Sequence, residues 1–194
     1  MKLRSMLAVV TLIGTRVIHA QGVTSLPQVD STLVKERRPV EMGIRGISRN
    51  IVELAQAMPA TKYGFAPTEG AFRGVRTFRQ QLKHLAGTNY ILAAAAVGHE
   101  APPHAGDEVG ADSVQTKDDI VAYVRGSFRA LEDAAKEIGN PMIPVGSSPI
   151  SPFQGGTATR IALIVEALAH AYDHYGQLVV YARMNGVVPP ASIR

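Results

Sequence analysis

Residues 159–185, TRIALIVEALAHAYDHYGQLVVYARMN, are the stretch on which the fold turns. Leu163, Ala167, His170, His174, Leu178 and Tyr181 recur at steps of three and four, the repeat of one face of an α-helix. Gly186 follows directly, with Pro189 and Pro190 beyond it, a usual way for a helix to end. The spacing predicts one long helix over about Thr159 to Asn185, its apolar stripe interrupted by two histidines.

Three further segments carry the same repeat. In the first, about Pro39 to Met58, Val40, Ile44, Ile47, Ile51, Leu54 and Met58 alternate steps of four and three. Pro39 suits a first helical turn and Pro59 an end. The second, about Val75 to Val97, places Val75, Phe78, Leu82, Leu85 and Leu92 on one face before Gly98. The third opens at Thr116, paired with Asp119 in a weak capping box. It carries Ile120, Val124, Leu131, Ala135 and Ile138 up to Gly139 and Pro141. No strand pattern longer than a few residues, no internal repeat and no low-complexity tract is present. Four amphipathic helices of similar length predict an all-α four-helix bundle. Two connections, about Gly98 to Gln115 and Asn140 to Ala158, exceed ordinary loop lengths and can serve as lids or as plain mobile loops.

A chain of 194 residues with 46% hydrophobic and 19% charged residues suits one globular domain. Its first twenty residues read differently. Lys2 and Arg4 lead into an apolar run from Met6 to Gly14, and the segment closes at Ala20, the pattern of a cleavable export signal. Residues 1–20 are therefore expected to be a signal peptide and 21–194 a single mature domain, periplasmic or secreted, with no membrane anchor left after cleavage. The segment holds Lys2, Arg4 and Arg16 and no acid. Its removal leaves 17 basic against 16 acidic residues and lowers the net charge from +4 to +1. That balance argues against a nucleic-acid partner, which needs a surplus of basic charge to track phosphates. The chain has no cysteine, which excludes a disulfide, a thiolate nucleophile and thiolate-bound zinc. A metal must then be held by His, Asp or Glu.

His170 and His174 lie four residues apart, which puts two imidazoles on one helix face about 6 Å apart along the axis, suited to two ligands of one divalent ion. Core or capping histidines also arise at that spacing. The order His170, Ala171, Tyr172, Asp173, His174 lacks the glutamate of the zincin motif. A third ligand has to come from His84, His99 or His104. His84 is the strongest candidate because it lies inside a predicted helix, at the edge of the apolar stripe beside Gln81 and Thr88. His99 and His104 stand among Pro, Gly and Glu and read as solvated. Glu166 and Gln177, one turn before His170 and one turn after His174, are placed to orient an imidazole or to meet a metal-bound water. A solvated charge is the plainer reading of Glu166. Asp173 points about 100° away from His174 and reads as a surface residue. Tyr63, Phe65 and Pro67, ahead of the second helix, read as packing residues.

The segment His84-Leu-Ala-Gly-Thr-Asn-Tyr90 and the run from His170 to Ser192, with its Gly-Gln-Leu after His174, resemble the DinB family. The resemblance extends over about residues 34–192. It implies a four-helix bundle whose divalent metal, expected to be zinc or nickel, is held by one histidine of the second helix and two of the last. Carried over position by position, these are His84, His170 and His174. It also implies a homodimer.

Three neutral imidazoles leave an open coordination position, the layout of a catalytic rather than a sealed site. Relatives implied by the resemblance include hydrolase-like metalloenzymes and thiol-dependent S-transferases and isomerases. Export disfavours the thiol chemistry, whose cofactors are intracellular. The expected function is a metal-dependent enzyme, hydrolase-like, acting on an unidentified small molecule through a metal-activated water. The alternatives are a non-catalytic exported metal-binding protein or a thiol-dependent transferase. A purely structural bundle with core histidines is the remaining reading.

Overall fold

A computed structural model of the chain describes residues 31–107, 109–145 and 157–193. The expected signal segment, residues 1–20, lies outside the described residues. Four helices dominate: α1 (Ser31–Ala57), α2 (Phe78–Val97), α3 (Lys117–Glu137) and α4 (Arg160–Met184). A two-residue antiparallel pair, β1 (Pro144–Val145) with β2 (Ala158–Thr159), ties together the two ends of the α3–α4 connection. No helix among the described residues is long and apolar enough to cross a membrane.

The predicted stripes become the core. Ile44, Ile47, Ile51, Leu54 and Met58 of α1 and its exit are fully buried, as are Leu82 and Leu85 of α2, Ile120, Val124 and Leu131 of α3, and Leu163, Ala167 and Leu178 of α4. Each helix of the pair α1 and α2 packs on both α3 and α4, while α1 barely meets α2 and α3 barely meets α4. The helices therefore run around the bundle in the order α1, α3, α2, α4. The α1–α2 and α3–α4 connections each have to cross a diagonal, which accounts for their length.

Two helix starts depart from the sequence expectation. α1 begins at Ser31, so Pro39 lies inside the helix instead of in its first turn. A proline there removes one intrahelical hydrogen bond and crowds the carbonyl four residues back. A tertiary contact opposes that local penalty. Arg37, two residues earlier, donates from Nη1 to the carbonyls of Lys136 (2.7 Å) and Ile138 (2.9 Å), capping the C-terminal end of α3 with a cation. Lys117 does the same for α1, with its ammonium on the carbonyls of Gln56 and Met58. α2 starts at Phe78, three residues after Val75, because Thr77 and Gln80 form a reciprocal capping box. Val75 is exposed. The Thr116–Asp119 box ahead of α3 is present in both halves.

The α2–α3 connection is packed rather than free-standing. Tyr123 donates its hydroxyl to the carbonyl of Ala105, and Ala105 and Ala111 are buried. The loop backbone passes so close to α2 that a Cβ on Gly87 would meet the carbonyl oxygen of Asp107 at 2.6 Å. Only glycine admits that approach, three residues from His84.

The entrance to α2 is sealed by the aromatics expected to pack there. Tyr63 is buried edge-on to Phe78 and donates to the carbonyl of Ala55. Phe65 packs edge-on to Tyr181, and Pro67 is buried. The carbonyls of Phe65 and Tyr63 accept the first two amides of α2, from Phe78 and Arg79.

Candidate metal centre

The packing of α2 on α4 brings together one residue of the former and two of the latter. His84 Nε2 lies 3.1 Å from His170 Nε2, and His174 Nε2 lies 3.0 Å from the same atom. The ring centroids of His84 are 5.0 Å from those of both His170 and His174. Of the three histidines proposed from sequence as a third ligand, His84 is the one the fold brings in. It is only 8% exposed, so its place at the edge of the stripe does not leave it half in water. His99 and His104 are exposed, and the ring of His104 packs edge-on to Tyr90.

Gln81 is the residue whose role the sequence concealed. It is 1% exposed, and its Oε1 lies 2.9 Å from His174 Nδ1. A carbonyl oxygen can only accept, so His174 carries its proton on Nδ1 and turns the bare Nε2 lone pair toward the other two rings. Gln81 and His84 are three residues apart on α2, one face of one turn, which is why both reach α4. That spacing was visible beforehand, but beside an apolar stripe it read as a polar edge.

Burial, then the neighbouring His174 and His84, lowers the His170 pKa to about 3. Burial, then His84 and Arg76, lowers that of His174 to about 4. Both rings are therefore neutral at neutral pH, the state in which imidazole binds a metal.

The donor set fits a cation. Two imidazole nitrogens on one zinc-like ion, each bonded at about 2.0–2.1 Å, stand about 2.9 Å apart at right angles and about 3.3 Å apart at the tetrahedral angle. The observed 3.0 and 3.1 Å fall between these values. Without an ion, the His170 Nε2 position faces two other ring nitrogens and one proton there serves neither contact fully. A cation among three lone pairs satisfies all of them. Among the described residues these three histidines form a group whose donor atoms all lie within 4.8 Å of one another, and no carboxylate belongs to it.

The other sequence candidates fall outside the group. Glu166 is half-buried and contributes no atom to it. Asp173 is exposed, as expected, and accepts from Gln177 Nε2 at 2.9 Å. Gln177 thus lines the approach to the site with its amide already engaged. That approach is a cleft of about 440 Å³ lined by Gly74, Val75, Arg76, Gln81, His174 and Gln177.

The model of the DinB superfamily matches residues 45–178, more than half of the chain and all three histidines. The chain belongs to the DinB superfamily. No curated protein matches it. Membership agrees with the helical bundle and with a histidine cluster able to hold a divalent ion, as DinB-like proteins do. It leaves the reaction open, since one fold carries many chemistries.

Proposed function

We propose that this DinB-superfamily protein is a mononuclear metalloenzyme, with His84, His170 and His174 binding one zinc or nickel ion and a small-molecule substrate undergoing hydrolysis. The convergence of three Nε2 atoms at 3.0–3.1 Å beside a solvent-reaching cleft carries this reading. A divalent ion with a free coordination position supplies an acidified water or polarises a carbonyl. The residues do the rest. His170 and His174 present lone pairs from one rigid helix face, His84 closes the set from α2, and Gln81 fixes the ring and tautomer of His174. The apolar walls of α2 and α4 keep the rings neutral. No residue is assigned as general base.

The proposal places the protein outside the cytoplasm, as its N-terminal pattern suggests, and treats it as a homodimer. Exposed Val165, Tyr172 and Val180 share one stripe of α4 and support self-association.

Untagged mature protein, residues 21–194, should hold close to one ion per chain by elemental analysis. Removing the ion should abolish hydrolysis of responsive ester or phosphoester probes, and adding zinc or nickel should restore it. Fully loaded protein that accelerates none of them would overturn the enzyme reading and leave a metal-binding protein.

Gln81 provides a finer test. Gln81→Leu removes the acceptor from His174 Nδ1–H and should weaken metal affinity about 10- to 100-fold in competition with a chelating dye. Gln81→Glu, which keeps an acceptor, should retain most of it. Equal affinity in wild type and Gln81→Leu would rule out the orienting role.

A further inference from the structure

The cleft that reaches His174 has a charge of its own. Of the six residues lining it, Arg76 alone is ionised. Its side chain is exposed and has no hydrogen-bond or ion-pair partner among the described residues, so its five donors are available to a ligand. Its backbone is held in place. The Tyr181 hydroxyl of α4 donates to the Arg76 carbonyl at 3.2 Å, and Thr77, the next residue, is the cap of α2. Arg76 therefore stands at the seam between the α2 entrance and α4, in the lining of the cleft.

Its charge reaches the histidines, because Arg76 is among the groups that lower the pKa of both His170 and His174. The acid acting in the opposite sense, Asp173, lies outside the cleft lining with one carboxylate oxygen engaged by Gln177. The α2 N-terminus offers no competing anion site. The amides of Phe78 and Arg79 are taken by loop carbonyls and that of Gln80 by the Thr77 hydroxyl. An anion in the cleft thus shares it with one guanidinium and the neutral imidazole of His174.

We propose that Arg76 recognises an oxyanion of the substrate, a carboxylate or a phosphate, and so restricts the enzyme to anionic small molecules. The word substrate rests on the metalloenzyme reading above; the anion site does not. A planar guanidinium pairs with either group through two parallel hydrogen bonds, which holds the molecule in one orientation with the rest of it directed down the cleft toward His174. Gln177, of α4, also lines the cleft and offers it no charge.

Calorimetric titration of the mature protein with acetate and, separately, methylphosphonate tests this in both metal-free and zinc-loaded forms. Metal content is measured for every sample. Arg76→Gln should bind the preferred anion about 10-fold more weakly or worse, Arg76→Lys should keep part of the affinity, and neither should change metal content. Arg125→Gln, on the exposed side of α3, should leave anion binding unchanged. The anion held more tightly by wild type identifies the carboxylate or phosphate class. Arg76→Gln binding both anions as tightly as wild type, with and without zinc, would overturn the proposal. Protein that takes up no zinc but still shows the Arg76 dependence would defeat the metalloenzyme reading and leave the anion site standing.

Discussion

His174→Ala should leave the bundle folded and remove its metal. His174 is 6% exposed and makes two of the contacts that define the site, one to His170 Nε2 and one to Gln81 Oε1. Alanine takes away a donor and leaves two imidazoles, so the affinity loss should exceed the 10- to 100-fold expected for Gln81→Leu, and elemental analysis after desalting should find almost no ion. The fold should survive because the core consists of apolar stripes from all four helices. The buried amide of Gln81 loses its partner, which costs about 1–3 kcal/mol, small enough for circular dichroism to record a native helical spectrum. His99→Ala and His104→Ala, away from the site, should keep the full ion. A His174→Ala protein that holds metal as tightly as wild type would eliminate the three-histidine centre.

Phe128→Ala should be the most damaging single change to the bundle itself. Phe128 of α3 is 1% exposed within the core shared by all four helices. Truncating such a ring removes buried apolar surface and leaves a cavity, at a cost of about 3–5 kcal/mol. Total stabilities of about 5–15 kcal/mol make that a large fraction. Urea denaturation of the metal-free protein measures it, with Val109→Ala as an exposed comparison expected within about 0.5 kcal/mol of wild type. Zinc at 100 times its Kd should raise the stability of wild type and Phe128→Ala alike by about 2.7 kcal/mol, because the ion binds only the folded form and Phe128 is not part of the site. A cost under about 1 kcal/mol would mean that α3 is not packed as described.

These expectations draw unequally on sequence and fold. The stripes of α1, α3 and α4 and the cap at Thr116 were legible because they depend on residues within a turn or two of one another. The Thr77–Gln80 box was equally local, yet Val75 fitted the apolar period and drew the predicted start three residues too early. Pro39 misled for the opposite reason. Its penalty is local, whereas the bonds from Arg37 to the end of α3, about 100 residues away in sequence, exist only once the helices have packed.

The candidate site divides the same way. By itself the sequence determined that His170 and His174 share a helix face inside an apolar stripe, because helical periodicity alone sets that geometry. For the third ligand the sequence favoured His84 over His99 and His104 because it lies inside a predicted helix, and the resemblance then matched it to a ligand position. Packing of α2 against α4 then brought His84 Nε2 to 3.1 Å from His170. The same packing turned Gln81 from a polar edge into the acceptor that orients His174, and set Arg76 in the lining of the cleft. Tertiary structure alone could decide these points, because each depends on the distance between side chains on different elements, which no pattern along one helix contains.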